Sequence, residues 1–237
     1  MKSVLRLVLM LGFIVFAMPA FADDKPDFTA FKNIKEKKKA FFEFMHAYVA
    51  MENAALLKDR ERLLALRSTP AGSLSGKDTK WLKRMAKNYR TELPLVDAKA
   101  WGPLLRRVDV VPSPLVLAQS ANESSWGTSR FARQGHNFFG QWCFTKGCGI
   151  VPGRRDNGSR HEVAVFKSAR DSVRAYLKNI NTGRVYSELR KIRARQRANG
   201  EALDAIALAG GLSQYSKRGE AYVKEIRSMI RTNTKLM

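Results

Sequence analysis

The sequence predicts a mainly α protein of the α+β class, a helical domain with a small β-lobe and a helical N-terminal extension. Apolar residues recur at three- and four-residue steps through most of the chain. That period is lost at 136–166, where glycine, proline and aromatic residues gather. The 237 residues contain no internal repeat and no low-complexity tract, and they suffice for one sizeable core with an accessory segment.

Residues 1–22 read as an export leader. Lys2 and Arg6 precede an apolar run at 7–18, and Ala20-Phe21-Ala22 offers small residues for cleavage after Ala22. A retained anchor is the competing reading, but about 12 apolar residues are too few for the ~30 Å bilayer core. No later stretch is long or apolar enough to span. The mature chain is therefore expected to be periplasmic or secreted, a monomer with no integral membrane span.

The extension is assigned to 23–109. After a short polar start, Phe31, Ile34, Phe41, Phe44, Met45, Tyr48, Met51, Leu56, Leu63 and Leu66 mark one helix over 31–67. The Ser-, Gly- and Pro-rich segment 68–80 breaks it. A second helix is expected over 81–93, closed by Pro94. The aromatic stripe reads as packing.

In the main domain, 110–237, Ser113 and Pro114 fit the N-cap and first position of a helix, and Gly127 fits its left-handed end. A short helical turn follows, ended by Gly135. Within 136–166, Asp-Asn-Gly at 156–158 signals a hairpin turn and the alternation at 161–166 signals a strand. Helices resume at Ser168, which forms a capping box with Asp171. Val173, Tyr176, Leu177 and Ile180 give this helix its apolar face, and Gly183 ends it. Further helices are expected over 186–197, 201–209 and 219–231.

The formal net charge is +22, and about +20 remains once Lys2 and Arg6 leave with the leader. In a cytoplasmic chain such a charge would point to nucleic acid. After export the available polyanions are wall polymers and surface glycans, so no nucleic-acid partner is expected. The basic residues are spread along the chain, which also fits a plain solvated surface. Cys143 and Cys148 are the only cysteines, and in an oxidising compartment they are expected to pair. That bridge would pin one short loop and not the fold. His136 and His161 are the only histidines nearby, so no metal site and no cofactor are expected.

The stretch ANESSWG places a lone carboxylate, Glu123, in the last turn of its helix, where the helix dipole disfavours negative charge. On continued helical geometry Trp126 lies on the same face, and Gln119 lies one turn earlier within reach of the carboxyl. Partial burial beside Trp126 adds to the dipole in raising the carboxyl pKa, as a general acid near neutral pH requires. The competing reading is a solvated glutamate at a helix end.

The residues LAQSANESSWGTSRFARQGHNFFGQW resemble the A-x-x-E-S-x-W-G … N-x-F-G signature of glycoside hydrolase family 73, bacterial N-acetylglucosaminidases within the lysozyme-like superfamily. FKSARDSVRAYLKNI and SQYSKRGEAYVKEIRSMI are similar to the family's later blocks, and the resemblance covers 110–232. It implies a lysozyme-like fold whose partner is the glycan strand of peptidoglycan. The implied reaction is hydrolysis of the β-1,4 bond between N-acetylglucosamine and N-acetylmuramic acid. Glu123 matches the family's catalytic glutamate, the proton donor to the leaving oxygen. That role agrees with an oxocarbenium-like transition state.

In the family a second carboxylate from the β-lobe is often implicated. Glu162 occupies the matching region, on a strand where it would share a face with Ala164 and Phe166. It is preferred to Asp156, which is better explained as a turn residue. The substrate's own acetamido group is the alternative to both. Tyr215 matches the aromatic that opens the family's Y-A-x-D-x-x-Y block, where its hydroxyl would orient the acetamido group or water. YSKRGEAY lacks the aspartate of that block, and Tyr222 at its end reads as packing. Gln119, Trp126, Asn137, Phe138 and Phe139 are expected to line the cleft, with one of the two phenylalanines in the core. Trp142 stacks on a sugar or packs on the disulfide. A lytic transglycosylase or muramidase of the same fold, and a non-catalytic wall-binding protein, are the rival readings.

Overall fold

The computed structural model describes residues 25–153, 158 and 160–237. The leader assigned to 1–22 lies outside them, as do Asp156 and Asn157 of the expected hairpin turn.

The first helix, α1 (Ile34–Arg67), begins where the Asn33 side chain accepts the N–H groups of Lys35 and Glu36. It buries Phe41, Phe42, Met45, Val49, Leu56 and Leu63 along one stripe. The second helix, α2 (Gly76–Asn88), starts and stops five residues earlier than expected. Ser75 and Asp78 cap it reciprocally, so the polar segment that reads as a break contains the helix start. It ends well before Pro94 because Arg90 turns left-handed (φ 55) and Arg107 donates to the Tyr89 and Arg90 carbonyls. After α3 (Trp101–Arg107) comes α4 (Ser113–Glu123), which starts one residue earlier than its Ser113 cap predicts.

Every residue of α4 from Leu115 to Ala121 is buried, as befits a central helix. It packs against α1 and against two later helices, α8 (Ala205–Ala209) and α9 (Glu220–Asn233). The short α5 (Arg130–Gly135) ends with His136 in the left-handed position, one residue beyond the expected Gly135. The β-lobe is a three-stranded antiparallel sheet in the order β1-β3-β2, with β1 Trp142–Cys143, β2 Gly149–Ile150 and β3 Glu162–Ala164. Ser168 and Asp171 cap α6 (Ala169–Thr182) as expected, and α7 (Ser187–Ala198) follows. The helix expected over 201–209 is confined to α8, because Asp204 accepts the Ile206 N–H and caps it there.

One hydrophobic core runs across position 110 and joins the extension to the rest. Two buried carboxylates bind the parts together, and buried charges persist only where they are paired. Glu52 of α1 accepts from Arg170 Nε (2.6 Å) and Arg174 Nη2 (2.9 Å) of α6. Asp109 is enclosed by Arg60 of α1 and by Arg193 and Arg197 of α7.

Candidate active site

Glu123 is the last residue of α4, and the chain then leaves the helix through three left-handed residues, Ser125, Trp126 and Gly127 (φ 50, 58 and 78). The turn is held by its own groups. Trp126 N–H donates to the Ala121 carbonyl, and the buried Ser124 hydroxyl donates to Ser120 O while accepting the Gly127 N–H. Gly127 is required twice over, by its φ and because a Cβ there would lie 2.3 Å from the Phe28 ring.

This turn swings Trp126 off the face it would occupy on a continued helix. Its ring packs edge-on against Phe42 (5.1 Å) and Phe41 (5.8 Å) of α1, under Lys38 Nζ. The expectation that Trp126 buries the Glu123 carboxyl is corrected by this packing.

Glu123 is half-buried, and burial raises its carboxyl above the ordinary glutamate range. Hydrogen bonds from Tyr222 and Asn122 and the charge of Arg218 act the other way, while Glu225 adds to the rise. The Gly140 backbone, at φ 61, comes so near that a Cβ there would lie 3.7 Å from Glu123 Oε2. Around the carboxyl stand Tyr176, Tyr186, Tyr215 and Tyr222. Burial pushes all four phenols up, and each also feels the Glu123 charge.

A continuous chain of donors reaches the carboxyl from the core. Tyr176 donates to Gln119 Oε1 (2.5 Å), Gln119 Nε2 donates to the Tyr222 oxygen (2.9 Å), and Tyr222 donates to Glu123. Gln119 is 0 % exposed. It therefore reaches Glu123 only through Tyr222 and is shut off from any substrate, contrary to its expected place in the cleft.

Asn137 is also buried, with its side chain fully engaged. It donates to the Gln141 and Ala164 carbonyls and accepts from the Phe139 and Gln141 N–H groups. It shapes the turn that delivers Gly140 and does not line the cleft. Both phenylalanines are core, not one of the two. Phe138 packs on Phe41 and Phe44, and Phe139 stacks on Tyr176 at 4.1 Å. Tyr215 stacks on Tyr222 at 5.3 Å, and its hydroxyl donates to the Phe139 carbonyl. Trp142 is 55 % exposed and stacks on His161 (3.9 Å), not on the disulfide.

Cys143 and Cys148 are joined as a disulfide. Glu162 lies on β3 as expected, opposite Cys143, but both of its oxygens accept N–H groups of the disulfide loop, from Gly147 (2.9 Å) and Gly149 (2.8 Å). Cys143, Cys148 and Glu162 are also the only cluster of metal-ligating types among the described residues. Its sulfurs are in the disulfide and its carboxylate is held by backbone donors. Asp156 lies outside the described residues.

The sequence reading missed Tyr176, Tyr186, Tyr222 and Gly140. A tyrosine on an apolar helix face must find a partner for its hydroxyl, and that signal was present at Tyr176 and Tyr222.

A protonatable carboxyl at a helix end, beside a small sheet and within a ring of phenols, suits proton donation to a glycosidic oxygen. Fold and site together define a glycoside hydrolase. The profile of the glucosaminidase family, described as mannosyl-glycoprotein endo-beta-N-acetylglucosaminidase, matches residues 98–235, and the chain belongs to this family. It is thus an enzyme of the endo-β-N-acetylglucosaminidase type. The chain is also 33 % identical over 213 residues to Protein bax of Escherichia coli (strain K12), covering 90 % of this chain and 75 % of that protein. No solved structure matches it. Among the described residues no helix is long and apolar enough to cross a membrane.

Proposed function

We propose that this glucosaminidase is an exported peptidoglycan hydrolase that cuts between N-acetylglucosamine and N-acetylmuramic acid, with Glu123 as its acid. The observation that carries the reading is the Glu123 carboxyl itself, half-buried at the end of α4, raised by burial and fixed by Tyr222. Protonated Glu123 gives its proton to the glycosidic oxygen as the C1–O bond breaks. The 2-acetamido oxygen of the N-acetylglucosamine closes on C1. Water then opens that ring, its proton returns to Glu123, and the reducing sugar leaves.

In this reading the second role falls to the substrate, and the Glu162 oxygens are given to the loop N–H groups that they accept. Glu162 is a positioning residue for the disulfide loop. Tyr215 donates to Phe139 O and keeps lone pairs that can accept the acetamido N–H. Trp142 is the sugar platform, exposed and braced by His161. The disulfide fits an oxidising compartment, and the basic surface fits anionic wall polymers.

The test is mass spectrometry of purified peptidoglycan digested with wild type and Glu123→Gln. Wild type is expected to leave N-acetylglucosamine at reducing ends, and the variant to be slower by about 10²–10⁴-fold while still binding sacculi. Anhydro-muramic ends would identify a transglycosylase instead. No cleavage by wild type, or normal cleavage by the variant, would remove the reading.

A further inference from the structure

On the other side of α6 from the tyrosines, a cleft of ≈ 500 Å³ opens between α1, α2 and α6. Tyr176 is turned to Gln119, whereas Arg174 and Lys178, two residues to either side of it, line the cleft. Two residues along a helix turn through about 200°, so this cleft and the Glu123 site occupy opposite faces of α6. Its size is that of a small-ligand site.

Leu56, Met85 and Leu177 give the cleft an apolar floor. Two half-buried charges of opposite sign stand on its walls, and neither has an ion pair or hydrogen-bond partner among the described residues. The Lys178 ammonium lies 3.8 Å over the Tyr89 ring; burial, with the nearby Arg90 charge, lowers it to about 8. The Asp59 carboxyl is raised by burial, which outweighs the opposing charges of Arg62, Arg84 and Lys58. Tyr89 carries the ammonium over its ring, and its own phenol feels the Asp59 charge. The other charged wall groups are satisfied, Glu52 by Arg170 and Arg174, and Asp171 by Ser168 and Arg174.

Partly buried charges without an ion-pair or hydrogen-bond partner cost free energy, and in a cleft they are open to a ligand's complementary groups. Two opposite charges set apart over an aliphatic floor select a zwitterion with an apolar body. A sugar would bury its hydroxyls on that floor without partners. We propose that this cleft binds a short peptide with free termini and aliphatic side chains, its carboxylate on Lys178 and its ammonium on Asp59. The site needs neither glycan nor Glu123, so it stands or falls separately from the hydrolase reading.

The test is calorimetric titration of the full chain with leucyl-leucine, in all-L and all-D forms, against the same dipeptide acetylated and amidated. The free dipeptide is expected to bind with a dissociation constant below about 1 mM, and the capped form at least about tenfold more weakly. A preference for the D form would trace the ligand to wall peptides, and for the L form to ordinary protein fragments; either supports the site. Lys178→Met is expected to erase the preference for a free carboxylate, and Asp59→Asn that for a free ammonium, with both variants folded and glycan cleavage unchanged. If a variant does not fold, the capped-against-free comparison on wild type decides alone. Equal binding of capped and free peptide, or no binding of either stereoisomer up to about 10 mM, overturns the proposal.

Discussion

Tyr222→Phe removes a single oxygen from the centre of the site and tests the donor chain that ends on Glu123. The ring is buried and stacked on Tyr215, so phenylalanine keeps the packing and loses only the hydroxyl. Two bonds go with it, the one from Gln119 Nε2 at 2.9 Å and the one to Glu123. Gln119 is 0 % exposed, so its amide N–H is stranded, at about 1–3 kcal/mol. In a chain of this size each kcal/mol lowers Tm by roughly 2–4 °C.

At the carboxyl the Tyr222 bond opposes burial. Its loss leaves burial less opposed, and the Glu123 pKa rises further. In the proposed reaction Glu123 acts protonated, so the alkaline limb of kcat/KM is expected to move to higher pH. The plateau is expected to fall because the carboxyl loses its orienting contact. Reducing-end release from peptidoglycan across about pH 4–9, with thermal melts of both proteins, reads these effects together. An alkaline limb that stays or moves down, or an unchanged Tm, would refute the donor chain.

Three further outcomes are expected. Because the folded-state pKa of Glu123 is raised above its unfolded value of about 4.3, its ionisation in the fold is disfavoured, and stability present at low pH is lost as pH rises through the folded pKa. Glu123→Gln cannot ionise there, so its denaturant midpoint should match wild type in acid and exceed it by a gap that opens between the unfolded and folded pKa values and stays constant above them; a gap that widens toward acid would contradict the burial of this carboxyl. Gly127→Ala places a Cβ against the Phe28 ring at a left-handed position, and about 1–3 kcal/mol should be lost in equilibrium unfolding; no loss would mean that the turn relaxes freely. Glu162→Gln can accept only one of the Gly147 and Gly149 N–H groups, leaving about 1–3 kcal/mol of loop anchoring undone. Cleavage should then weaken through KM with the shape of the pH profile kept, and loss of a titrating limb would instead make Glu162 a reacting group.

Much of this architecture was legible because local rules and the fold agree. Ser168 and Asp171 cap α6 as their spacing requires, the loss of helical period at 136–166 coincides with the small sheet, and the two cysteines pair. The site failed to follow where one assumption failed, that α4 continues through Trp126. It stops at Glu123, and three left-handed residues turn the indole onto Phe41 and Phe42. Periodicity places side chains only while the helix lasts, and the hydroxyl bonds of Ser124 end it. Asn137 and Gln119 were misread for a related reason. An amide in a motif looks like a ligand donor in sequence, but here each has its hydrogen bonds taken by the fold itself.

The same turn changes what the N-terminal extension is for. Residues before the family match at 98–235 supply the surface on which the chain beyond Glu123 is moored. Phe28 lies under Gly127, Phe41 and Phe42 hold Trp126, and Lys25 Nζ donates to the Ala132 and Arg133 carbonyls at the end of α5. Phe138, next to the Phe139 whose carbonyl receives Tyr215, packs on Phe41 and Phe44. The extension thus contacts the two segments that shape the Glu123 pocket, the turn after α4 and the turn that presents Gly140. The raised pKa of this half-buried carboxyl depends on those turns staying closed, because water admitted beside it would return its pKa toward the ordinary range. On this geometry the aromatic stripe of α1 is packing, as its periodicity implies, and it is packing on which the electrostatics of Glu123 depend.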